Sequence, residues 1–125
     1  MIKLFVLVAI GGAIGSVGRF WMAIAVARLT GTGFPWGTVL INILGSCLIG
    51  WLAGLSLAGR MPNADSLRAF AMAGVCGGFT TFSSFSLQTV ELMREGQPLA
   101  AAANVCVSVI LCLLATTFGL WLARP

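Results

Sequence analysis

Residues 67–90 read LRAFAMAGVCGGFTTFSSFSLQTV, an apolar run with a centre rich in glycine and hydroxyl residues. At about 1.5 Å per residue it is long enough to cross a hydrocarbon core of roughly 30 Å as a helix. Its middle, Gly74-Val75-Cys76-Gly77-Gly78-Phe79-Thr80-Thr81, is poor helix, because paired glycines are loose and β-branched threonines lose side-chain freedom. A membrane span broken near its centre is predicted, with Asp65 and Ser66 available as caps and Glu91 and Arg94 at the far end. Backbone groups freed at such a break cannot face lipid, so the break is either buried in protein or lines an aqueous cavity.

Three more apolar stretches surround it. Residues 4–27 are interrupted by Arg19 and bounded by Arg28; residues 36–58 are entered through Phe34-Pro35 and left at Gly59-Arg60; residues 98–122 open with Pro98, which suits a first turn, and end near Arg124. The expectation is an all-α membrane protein, one domain over 1–125 with four transmembrane helices and loops too short to carry an extramembrane enzyme. Composition agrees: 59% of residues are hydrophobic and 8% charged, against roughly 25% charged in a soluble domain. Mean hydropathy is +1.05. Lys3 followed by an apolar run imitates a secretory leader, but the run outlasts a leader's apolar region and is read as a mature helix.

The net charge of +4 comes from seven basic and three acidic residues scattered singly, which gives no support to nucleic-acid binding. Lys3, Arg60, Arg68 and Arg124 fall on one side of the membrane and Arg28 and Arg94 on the other. That bias of four against two favours the termini inside, but it is weak enough to permit insertion in both orientations. Cys47, Cys76, Cys106 and Cys112 lie in apolar stretches without CxxC spacing and read as buried thiols. Histidine is absent, and the acids sit at span ends or in loops, so no nucleophile and base can be assembled and no enzyme is expected.

The polar residues within the spans carry the functional signal. Arg19 has no acid inside any span to pair with, so it faces an aqueous vestibule or an anion, or serves a structural role. Asn42 can donate to an anion or bridge helices, while Asn104, near the start of its span, reads as interfacial. In Thr80-Thr81-Phe82-Ser83-Ser84-Phe85-Ser86 a resumed helix puts Thr81, Phe85 and Gln88 on one broad face and makes Phe82 and Phe85 neighbours. Hydroxyls donate to anions, and aromatic edges carry the positive part of the ring quadrupole, although ring packing is the commoner use. Ser108 and Cys112 form a small polar edge, and carbonyls freed near Gly77 and Thr80 can coordinate a monovalent cation. Gly11, Gly15, Ser16 and Arg19 fall on one side of the first span; Gly37, Gly45, Gly50 and Gly54 mark the second, as close helix packing requires.

These blocks resemble the small fluoride channel family called CrcB or Fluc. The resemblance rests on Gly11-Gly12-Ala13-Ile14-Gly15 followed by Arg19-Phe20, on Gly37-Thr38 followed by Asn42 and Gly45, and on Gly74 through Ser86, in that order. It implies a passive channel exporting cytoplasmic fluoride from a prokaryote, through the plasma membrane, or the inner membrane of a Gram-negative cell. It further implies an antiparallel, dual-topology homodimer with two pores at the subunit interface. By the resemblance Phe82 and Phe85 present ring edges to fluoride, Asn42 is the pore asparagine and Arg19 the vestibule arginine. Thr81, Ser84, Thr38, Ser108 and Cys112 are less certain members of a polar track. Carbonyls of Gly77 and Thr80 correspond to a central structural Na+ site. Gln88 stands where family members often carry glutamate, which removes a negative charge, and Cys112 stands in for a hydroxyl.

Two other classes compete. A small multidrug exchanger shares the size and four spans but needs an acid within the membrane, and none occurs in the first two spans. A structural subunit of a larger membrane complex would be silent when reconstituted alone.

Overall fold

The computed structural model describes residues 1–124. Helix α1 (Ile2–Thr30) is followed by α2 (Trp36–Leu57), and α6 (Pro98–Leu122) closes the chain. Between them the third span, Ala64–Arg94, is composite. It consists of α3 (Ala64–Leu67), a π-helical segment (Arg68–Cys76), α4 (Gly77–Phe79), an extended step at Thr80 and Thr81, and α5 (Phe82–Arg94). All four spans are long and apolar enough to cross a membrane. The shortest, the 22-residue α2, reaches about 33 Å at 1.5 Å per residue.

Each observed helix starts or ends within a few residues of the expected span, with a correction at the third. Its first turn is preceded by Asn63 in the left-handed conformation (φ 47°), not capped by Asp65 or Ser66. The break falls within the predicted centre, at its threonines and not at its glycines. Gly77 keeps helical angles (φ −63°, ψ −39°), whereas Thr80 (ψ 157°) and Thr81 (φ −151°, ψ 109°) are extended. Glycine costs a helix only about 1 kcal/mol, and Gly78 is required for a different reason. A Cβ there would lie 3.0 Å from Gly12 Cα, so this glycine lets α1 and α4 touch backbone to backbone.

Small residues set both principal helix contacts. On α1, Gly11 rests against the Phe70 carbonyl and Gly15 against the Val75 carbonyl, beside the widened π turns. Between α2 and α6, Gly50 meets the Thr116 carbonyl and Gly119 meets the Cys47 carbonyl, with the Trp51 nitrogen 2.7 Å from a Cβ built on Gly119. Bulky apolar side chains point outward, among them Ile14, Val17, Phe20 and Trp21 on α1 and Leu113, Leu114 and Phe118 on α6. A bilayer solvates such a surface and water does not.

Candidate ion-conducting site

The break arises from local chemistry. Thr80 ends α4 by directing both its N–H and its Oγ1 to the Cys76 carbonyl, each at 2.9 Å. Thr81 then caps α5: its Oγ1 accepts from Ser84 N at 3.2 Å and donates to Ser84 Oγ at 2.9 Å. Asn42 of α2 reaches into the gap, accepting from Thr81 N through Oδ1 at 2.8 Å and donating to Thr81 O through Nδ2 at 3.1 Å. Of the two roles open to Asn42 in the sequence, the bridge between helices is realised. One Nδ2 hydrogen is left over, because an amide carries two and the Thr81 carbonyl takes one.

Arg19 and Ser16 act at the other lip of the break. Arg19 Nε donates to the Gly78 carbonyl at 3.1 Å and Ser16 Oγ donates to the same oxygen at 3.4 Å. A cation at the carbonyl end of α4 complements the partial negative charge there, and the amide end of α5 is partly positive. In contrast, the carbonyls of Gly77 and Thr80 accept no hydrogen bond among the described residues.

Two cavities flank the break and share Thr81. One, of about 320 Å³, is lined by Asn42, Thr81, Phe82, Phe85, Ser108 and Cys112, together with Gly77 and Thr80. The rings of Phe82 and Phe85 lie 5.4 Å apart and are tilted by 45°. Phe82 remains 79% exposed, so this cavity is open on its outer side. The other, of about 420 Å³, is lined by Ser16, Arg19, Thr38, Thr81, Ser84 and Gln88. Thr38 and Gln88 also line a third cavity of about 240 Å³ near Glu91 and Glu95, at the loop end of the bundle.

The expected residues are therefore brought together in two groups joined at Thr81. The broad face predicted for Thr81, Phe85 and Gln88 is divided, with Phe85 in the first cavity and Gln88 in the second. Gln88 Oε1 is buried without a hydrogen-bond partner among the described residues. Asn104 packs between helices. It is 0% exposed and joined to Thr89 and Ser108, a network that sequence reasoning missed. Its position in the seventh place of an apolar helix was the available signal, since an amide at that depth requires partners.

The sequence model described as CrcB-like protein, Camphor Resistance (CrcB), matches residues 6–120. The chain belongs to the CrcB family. A protein of Methylocella silvestris named fluoride-specific ion channel FluC is 54% identical over 90% of this chain and 86% of its own length. The Rhodospirillum rubrum protein of the same name is 52% identical over 96% of this chain and 91% of its own, and that of Opitutus terrae is 50% identical over 94% and 89%. As a CrcB-family member with four apolar spans, the chain is a multi-pass membrane protein and not an enzyme.

Proposed function

We propose that this chain is a passive fluoride-selective channel that exports cytoplasmic fluoride across a bacterial plasma or inner membrane. The observation that carries the reading is the tilted Phe82 and Phe85 pair beside Asn42, Thr81 and Ser108, at a helix break in a chain whose relatives bear the name of fluoride channels. Fluoride needs replacements for its water shell. Ring edges, hydroxyls, the spare Asn42 N–H and the amide end of α5 all present positive charge density without fixing a full cation in the path. Arg19, with Thr38, Thr81 and Ser84 along the second cavity, draws anions toward the break. Conduction is downhill, so the membrane potential expels the anion and no coupling residue takes part.

The active form in this reading is an antiparallel homodimer with two pores at the subunit interface. The open side of the first cavity supports this, as does Gly77, an exposed glycine whose added Cβ would have nothing nearer than Met72 O at 3.8 Å. Packing inside one chain does not require glycine there, whereas close approach of a second copy does. The weak charge bias of the loops allows both orientations. Carbonyls of Gly77 and Thr80, left without donors, fit an Na+ held by oxygen ligands at the centre of the pair. The ion would neutralise carbonyl dipoles and join the two breaks.

The test is fluoride release from liposomes containing the purified chain alone, read with a fluoride electrode under a potassium–valinomycin potential and compared with chloride. Rapid fluoride release with little chloride release is expected. No release from verified dimers would overturn the channel reading in favour of a structural subunit. Replacing Na+ by N-methylglucamine throughout purification is expected to destabilise the dimer, and an equally stable, conducting dimer would remove the sodium.

A further inference from the structure

Phe85 is attached at its backbone as well as packed at its ring. Thr89 Oγ1 donates to the Phe85 carbonyl at 2.7 Å and accepts from Asn104 Nδ2 at 2.9 Å. Asn104 Oδ1 in turn accepts from Ser108 Oγ at 3.4 Å. Because a hydroxyl has one proton, the Asn104 donation leaves Thr89 free to spend its proton on Phe85, and the relay has one direction. It begins at Ser108 and ends at the backbone of Phe85, and both residues line the first cavity. Asn104 itself lines none of the three cavities described above and is fully buried between α5 and α6.

The geometry points to Asn104 as a positioning residue that sets the spacing of Phe85 and Ser108 across the first cavity. Two polar clasps then locate α5. Asn42 holds its amide end at Thr81, and Asn104 holds it two turns later at Thr89. Without the second clasp α5 is free to rotate about the first, and the Phe85 ring edge moves relative to the Ser108 hydroxyl. The Ser108 to Asn104 bond is long, so the Ser108 proton can turn to an anion while Asn104 stays tied to Thr89. An apolar residue at 104 would pack but would hold neither partner.

The inference rests on the fluoride-channel reading, and the liposome assay separates the two. The fraction of vesicles that empty reports folded channel, and the rate at which active vesicles empty reports conduction. Asn104→Leu and Thr89→Val are each expected to slow emptying about tenfold at an unchanged active fraction. The double variant is expected to be no slower than the worse single, because both break one relay. Thr89→Ser, which keeps the hydroxyl, is expected to conduct within about twofold of the unaltered chain. If Asn104→Leu does not fold, the Thr89→Val and Thr89→Ser pair decides. Equal rates for these two, or a variant that loses active vesicles while the remainder empty at the unaltered rate, would overturn the positioning role. Silence of the unaltered chain would overturn the channel reading and this inference together.

Discussion

Replacing Asn42 by alanine tests the break at its centre. The substitution removes the acceptor for Thr81 N and the donor for Thr81 O, leaving both backbone groups of an extended residue without partners inside the membrane. A buried polar group stripped of its partner costs about 1–3 kcal/mol, so the pair costs about 2–6 kcal/mol if no water enters. Membrane double-mutant cycles average about 0.6 kcal/mol per side-chain bond, which sets a floor near 1 kcal/mol for two. The expected outcome is a lower melting midpoint in detergent and fluoride efflux slowed more than tenfold, since about 1.4 kcal/mol is a factor of ten. Asn42→Asp separates scaffold from conduction. It keeps the acceptor for Thr81 N, loses the donor and adds a negative charge beside the anion, so it is expected to fold better than the alanine variant yet conduct no fluoride. An Asn42→Ala protein with the parent's melting midpoint and efflux rate would refute the argument that this side chain holds the break.

Gly119→Val should force α2 and α6 apart, because its Cβ meets the Cys47 carbonyl and lies 2.7 Å from the Trp51 nitrogen. Overpacking of this kind costs about 1–3 kcal/mol or more, and the measurement is loss of the monodisperse peak on gel filtration. Gly77→Leu leaves a single chain undisturbed, since its added Cβ has no neighbour nearer than 3.8 Å, but should prevent dimerisation as judged by light scattering; a stable conducting dimer would exclude that face from the interface. Arg19→Gln should lower the efflux rate about tenfold or more, as hydrogen bonds to charged groups are worth about 1.5–3 kcal/mol. Arg19→Lys, which keeps the charge but lacks the Nε geometry used on Gly78 O, should fall between the two.

The four spans were legible because a bilayer imposes a demand on composition that holds whatever the packing. About twenty apolar residues without paired charges admit one principal reading, and residues 98–122 coincide with α6. The glycine spacing on α1 was legible for a related reason. Gly11, Gly15, Ser16 and Arg19 share a face by helical period alone, and all four meet the third span. The neighbouring phenylalanines at 82 and 85 follow from the same period once helix resumes.

What the sequence left open depended on which partner each backbone group finds. The weak centre Gly74–Thr81 held both a glycine pair and a threonine pair; glycine permits distortion without requiring it, and Gly78 is there for Gly12. The step falls at Thr80 and Thr81 because two local groups and one distant group converge there. The Cys76 carbonyl takes Thr80, Ser84 takes the Thr81 hydroxyl, and Asn42, thirty-nine residues away, takes the Thr81 backbone. The π turns of Arg68–Cys76 are likewise absent from local propensity and accompany the backbone contact with α1. Only the packing of α6 against α5 gives Asn104 its full burial. Composition and hydropathy alone were enough to fix the solvent and the number of spans. Which side chains share a cavity, and the clasp of Asn42 on the Thr81 backbone that holds the opening, came only from the packed fold, because those contacts join residues far apart in the chain.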